Sequence, residues 1–203
     1  TVSEYSRKQI AGHYGLACSD IFVTPNAVSD DFYQIDKKAA EEFVHSQGID
    51  KYILYVSRVE PRKNQIAVLN AYLDLALYEK GYDLVFIGRK TISSSLFENR
   101  LAELKPEVLK RIHLLNQVDY NDLKFWYKGA SLFVYPALAE GFGIPPIEAG
   151  AAEVPCVCSN RTAMGDFSFF GENLVDPLDV KILKERIEKN LMFPDKIELK
   201  RIS

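Results

Sequence analysis

Residues 135–155 read YPALAEGFGIPPIEAGAAEVP. With the apolar run SLFVY at 131–135 before it, the stretch predicts the end of a buried strand, a glycine-bearing loop (AEGFG, 139–143) and a helix start (IPPIEAGAA, 144–152). Two carboxylates, Glu140 in the loop and Glu148 in the helix, stand in an E-x7-E spacing. Gly141 and Gly143 would let backbone approach a ligand closely, and a helix start offers unpaired N–H groups to an anionic group. The local pattern is equally that of an ordinary strand-to-helix junction. Pro is tolerated in a first helical turn, Gly in tight turns, and acidic residues near the positive end of a helix dipole.

Working outward, short apolar runs alternate with amphipathic segments. Strands are expected at 52–57 (YILYVS), 83–87 (DLVFI), 112–115, 131–135, 156–159 and 173–175, and helices at 64–79, 95–104, 121–128, after the glycine loop and at 178–191. Such alternation predicts an α/β fold built on a Rossmann-like doubly wound parallel sheet. Upstream, 3–11 reads as a helix with Ser3 as its cap, 21–23 as a short strand, and 36–47 as a polar helix closed by Gly48.

A second junction, YVSRVEPRKNQ, follows the first strong strand and holds Arg58, Arg62 and Lys63. All strands of a parallel sheet point one way, so these cations fall on the same edge as the glycine loop, where open α/β folds bind ligands. Cations beside a helix N-terminus oppose its dipole, so stability alone does not select them. A phosphate site is one reading and a solvated basic turn the other.

Composition sets the outer limits. The 203 residues are 47% hydrophobic and 26% charged with a net charge of -3, an ordinary globular balance with no general case for nucleic acid. No apolar run approaches the roughly 20 residues that span a bilayer, and no signal peptide is visible. Three cysteines argue against a disulfide framework, and Cys156 and Cys158 read as small packing residues of a buried strand, so a cytoplasmic location is expected. His13, His45 and His113 are scattered, and no DxD or clustered ligand set suggests a metal. The chain opens at Thr1 inside an amphipathic segment, as a piece cut from a longer protein would.

The run of YVSRVEPRKN, VFIG, LLNQVDYNDLKFWYKGASLFVYPALAEGFGIPPIEAGAAEVPCVCSN, LVDP and a last helix resembles the donor-binding C-terminal half of GT-B glycosyltransferases, particularly the retaining family-4 type. The likeness covers residues 50–191, and SEYSRKQI with IFVTPNAVSDDF is similar to the segments leading into that half. It implies a tail of an N-terminal domain and connector at 1–48, and a nucleotide-sugar donor-binding domain at 49–203. By the same resemblance Arg58 and Lys63 hold the donor diphosphate, with Arg62 structural. Glu140 faces the transferred sugar as the catalytic residue, and the backbone of Gly141, Phe142, Gly143 and Ile144 lines sugar and phosphate. Glu148 accepts from the ribose hydroxyls, Val118 meets the base through its backbone, and Gly88 permits close approach.

The resemblance further implies a GDP- or UDP-linked hexose donor, mannose among the candidates, and no cofactor or metal. The acceptor, a glycan or a lipid-linked one, would be held by the other domain. The fragment would then be inactive alone, and its parent peripheral to the inner membrane face. Ala27 and Glu153 stand where the family usually has glycine, and Glu153 puts the turn before 156–159 in question. Trp126 and Tyr127 read as packing. Phe167, Phe169 and Phe170 form an aromatic loop that would flank the donor or dock a partner domain, or else simply cover the sheet end. Two readings from other classes remain: a sugar-nucleotide epimerase or phosphorylase on the same scaffold, and a non-catalytic nucleotide-binding module.

Overall fold

The computed structural model describes residues 1–193, so the last part of the expected second domain, 194–203, lies outside the described residues. Helix α1 (Glu4–Tyr14) is capped by Ser3, whose hydroxyl accepts from the Ser6 N–H at 3.0 Å, and it ends at Gly15 in the left-handed region. Helix α2 (Lys37–Ser46) starts at Asp36, whose carboxylate accepts from the Ala39 N–H at 2.8 Å. Such caps satisfy donors that a helix start leaves bare.

From there strands and helices alternate: β1 (Tyr52–Val56), α3 (Gln65–Asp74), β2 (Asp83–Ile87), α4 (Ser95–Ala102), one-turn α5 (Pro106–Leu109), β3 (Ile112–Leu115) and α6 (Tyr120–Gly129). The chain continues through β4 (Leu132–Tyr135), α7 (Ile144–Ala151), β5 (Cys156–Ser159), the two-residue β6 (Leu174–Val175) and α8 (Val180–Met192).

The six strands form one parallel sheet in the order β3-β2-β1-β4-β5-β6. Every residue of β2, β4 and β5 is buried, so both faces of the sheet are covered. One helix group joins α3 with α4 and α8, and another joins α6 with α2 and α7. Cys156 and Cys158 are packed inside β5, as their alternation in an apolar run suggests. The strand order reverses between β1 and β4, which makes the carboxyl ends of those two strands the topological switch point, where doubly wound sheets open a crevice. Both junctions singled out in the sequence emerge there.

Three expectations are corrected. Residues 21–23 are not a strand: their surroundings bond to Thr1, whose amino group donates to the Phe22 carbonyl (2.8 Å) and whose carbonyl accepts from Thr24 (2.7 Å), and no sheet strand lies alongside. The helix expected to reach 79 stops at Asp74, because the chain turns through Ala76 at φ 48° to insert Leu77, 1% exposed, into the core. One-turn α5 was not foreseen; Pro106 starts it and buried Val108 anchors it. Among the described residues no helix is long and apolar enough to cross a membrane.

Candidate nucleotide-sugar site

Beyond β1 the chain makes a single tight turn over Pro61–Lys63 and passes through Asn64 at φ 57°. The Asn64 amide donates to the carbonyls of Pro136 (3.0 Å) and Pro177 (3.3 Å), and Leu138 N–H donates to the Arg62 carbonyl (2.8 Å). These bonds fasten the basic turn to the loop after β4. The side chains of Lys63 and Glu140, 9% and 11% exposed, pair directly. Tyr135 joins them: its hydroxyl accepts from the Lys63 ammonium (3.1 Å) and donates to Glu140 Oε1 (2.8 Å). Arg62 donates to the Ala139 carbonyl (2.9 Å), to Glu140 Oε2 (3.3 Å) and to Glu60 (3.0 Å). All three bonds run to the protein's own loops. Arg58 remains 60% exposed at the rim, 3.7 Å from Glu60. Three cations thus face two carboxylates, leaving one net positive charge.

The glycine loop is held from two sides. Glu140 N–H donates to the Thr162 hydroxyl (2.9 Å), while the Gly141 carbonyl accepts from the hydroxyls of Ser3 (2.7 Å) and Ser6 (3.1 Å) on α1. Gly143, at φ 104°, is required internally, since a Cβ there would lie 2.7 Å from Met164 Cγ. A Cβ on Gly141 would meet nothing closer than 3.9 Å, so this glycine leaves open space on the loop. The helix start is narrower as an anion site than the sequence suggested. Of the four amide positions unpaired at such a start, Gly143 and Ile144 keep an N–H, whereas Pro145 and Pro146 have none.

Glu148 lies one turn into α7 and accepts from the Tyr127 hydroxyl at 2.7 Å. Burial pushes its carboxyl above the usual range, and the Tyr127 bond offsets part of that. Trp126 is packing, as expected, but Tyr127 both packs and orients Glu148. Gly88, just past β2, has an internal reason to be glycine: a Cβ would lie 2.0 Å from the Ser57 carbonyl oxygen on the neighbouring strand. Val118, in the turn after β3, is half-buried against the core.

Glu140, Lys63 and Arg62 are therefore in contact, and Arg58 joins through Glu60. Glu148 is tied to Tyr127, and Gly88 and Val118 lie past the ends of β2 and β3 on the same sheet edge. The tyrosines Tyr127 and Tyr135 were not singled out as site residues from sequence. A phenol at the last position of a buried strand, just before the loop, is the signal that marks Tyr135.

On the α1 side of the loop a cavity of about 860 Å³ is lined by Ser3, Pro25, Tyr33, Phe142, Phe167 and Phe169, among others. Phe142 meets Phe167 edge-on (5.6 Å between centroids) and Phe167 stacks with Phe169 (5.5 Å), so the aromatic loop covers the sheet end and also borders this space. Among the described residues no three His, Cys, Asp or Glu side chains converge as a metal ligand set.

Residues 36–200 match the family model described as glycosyl transferases group 1. The chain belongs to that family. Among its group 1 relatives is the O-antigen chain mannosyltransferase B of Escherichia coli, 32% identical over 94% of this chain and 50% of the relative. This group 1 chain spans about half the length of that relative and about a quarter of the serotype-specific mannosyltransferase WbdA of Escherichia coli, which it also matches. The crystal structure of Anabaena Alr3699/HepE in complex with UDP and glucose superposes with a TM-score of 0.82 at 18% identity, over 97% of this chain and 54% of that one. The C-terminal domain of a group 1 glycosyl transferase, LpcC of Francisella tularensis, gives 0.70 at 20% identity, over 85% of this chain and 91% of its own. The shared architecture is the Rossmann-like half of a GT-B glycosyltransferase. Glu153, where the family usually has glycine, is found at φ 57°, the left-handed conformation glycine adopts freely, and its carboxylate pairs with Lys128 at 2.7 Å.

Proposed function

We propose that residues 49–203 are the donor-binding domain of a retaining hexosyltransferase that uses a nucleotide sugar, with 1–48 the tail of the other domain and the connector. The observation that carries this reading is the Lys63–Tyr135–Glu140 cluster at the switch point, with Arg58 exposed beside it. Cleavage of the donor develops negative charge on the departing diphosphate while the anomeric carbon becomes cationic. Arg58, Lys63 and the N–H groups of Gly143 and Ile144 stabilise the former more in the transition state than in the ground state. At an effective dielectric of about 20, one charge pair at 4 Å is worth on the order of 4 kcal/mol before desolvation, so two cations supply what a divalent metal would.

Glu140 faces the transferred sugar, and the backbone from Gly141 to Ile144 lines it. Glu148 accepts from the ribose hydroxyls, the backbone of Val118 meets the base, and Gly88 keeps the floor of the site thin. In the free protein Lys63 is engaged by Glu140, so an arriving diphosphate shares the ammonium with it. Several relatives are named mannosyltransferases of O-antigen and lipopolysaccharide synthesis, which supports mannose as the hexose and a glycan or lipid-linked acceptor. The acceptor is held by the other domain, so these 203 residues bind donor and transfer little sugar alone, in the cytoplasm or at the inner face of the membrane.

The test is thermal unfolding with GDP, UDP, GDP-mannose and UDP-glucose. A cognate nucleotide at a hundred times its Kd adds about 2.7 kcal/mol, a rise in Tm of roughly 5–11 °C for a chain of this size. Absence of any shift at millimolar nucleoside diphosphate rejects donor binding, and rapid sugar transfer by this chain alone rejects the division of labour.

A further inference from the structure

Tyr135 closes β4 with its side chain fully buried. Its ring lies between Tyr55 (centroids 5.4 Å, planes 23° apart) and Phe133 (6.0 Å, 14°), so the sheet itself fixes where the hydroxyl points. That hydroxyl accepts from the Lys63 ammonium at 3.1 Å and donates to Glu140 Oε1 at 2.8 Å, with Ser57 Oγ at a marginal 3.5 Å. Tyr55, stacked beneath, donates to the Lys63 carbonyl at 2.6 Å. Lys63 is gripped at both ends by two phenols rooted in adjacent strands.

We propose that Tyr135 is a positioning residue that fixes the Lys63 ammonium and the Glu140 carboxylate in the arrangement that receives the donor diphosphate. The inference rests on the donor-binding reading above and names the group that preorganises its charged pair. A direct Lys63–Glu140 pair joins two flexible side chains, which can shift together without breaking it. A hydroxyl that accepts from one and donates to the other pins both to the rigid sheet, which phenylalanine at this position cannot do. Burial, reinforced by the Glu140 charge, keeps the phenol far above its ordinary pKa, so it remains a donor at every working pH.

The experiment is the Tyr135→Phe variant of this chain, titrated calorimetrically with GDP and UDP and, by NMR, with guanosine and uridine, which carry no phosphate. The diphosphate bound by the wild type is expected to lose about tenfold in affinity, the scale of one hydrogen bond to a charged group, while nucleoside affinity changes less than about twofold. Because Tyr135 acts through Lys63, adding Y135F to K63M costs no further affinity. Unchanged diphosphate binding, an equal loss on the nucleoside, or additive losses in the double variant would each overturn the assignment. A wild type that binds no nucleoside diphosphate rejects instead the donor-binding reading on which it stands.

Discussion

With Lys63 replaced by Met, transfer by the full-length enzyme is expected to fall by roughly 10²- to 10³-fold, the loss found when one preorganised charge stabiliser is removed from a reacting site. Met preserves much of the stem's volume, so the change is one of charge. Two effects compete in such a variant. Removing one partner of a buried ion pair usually costs about 3–5 kcal/mol, because the other charge is left unpaired. Here Glu140 keeps the Tyr135 hydroxyl at 2.8 Å and the Arg62 guanidinium at 3.3 Å, which holds the stability loss near or below the bottom of that range. Kinetics and thermal unfolding measured together separate the two. A variant that is folded, binds nucleoside diphosphate normally and turns over at the wild-type rate would remove Lys63 from the site.

Glu148→Gln is expected to divide function from stability. In the proposed role, the carboxylate that would accept from the ribose hydroxyls becomes an amide with a single acceptor oxygen. Losing one charge-assisted bond weakens nucleotide affinity by about 10- to 100-fold. Stability moves the other way. Burial raises the Glu148 pKa in the folded chain, so the folded state holds this proton more tightly than the unfolded one. The favourable contribution of the protonated form is complete below the ordinary glutamate value of about 4.3 and is lost as pH rises through the folded pKa. At pH 7 the ionised group is therefore a liability, which the Gln variant lacks while retaining an acceptor for Tyr127. Its Tm should exceed that of the wild type at pH 7, and the difference should close as the pH falls toward 4. A Gln variant less stable than wild type at pH 7 would mean that the burial of Glu148 is fully compensated.

Much of the scaffold was legible because it rests on local periodicity. The β2 and β5 boundaries at 83–87 and 156–159 coincide with short apolar runs that only a doubly covered sheet accommodates, and the half-exposed edge strand β3 at 112–115 follows the same apolar signal. The early end of α3 was not legible, since 75–79 (LALYE) is a good helical sequence, and only the demand of the core for Leu77 overrides it. Loop glycines were legible as special but not as to cause. Gly88 answers to the Ser57 carbonyl and Gly143 to Met164, contacts between segments 31 and 21 residues apart. The tyrosines are the clearest case. Tyr127 has the same apolar neighbours in sequence as any core aromatic, and Tyr135 is marked only by its place at a strand end; which group each hydroxyl meets is set by the fold.

The hydroxyls of Ser3 and Ser6 that meet on the Gly141 carbonyl tie the start of α1 to the Gly141–Phe142 peptide plane, the next one after that adjoining Glu140. A small roll of α1 about its own axis would withdraw both donors together and leave the oxygen bare. The peptide unit would then be free to swivel one residue from Glu140. Through these two bonds the position of the amino-terminal segment bears on the geometry of the loop by a route that bypasses the charged cluster.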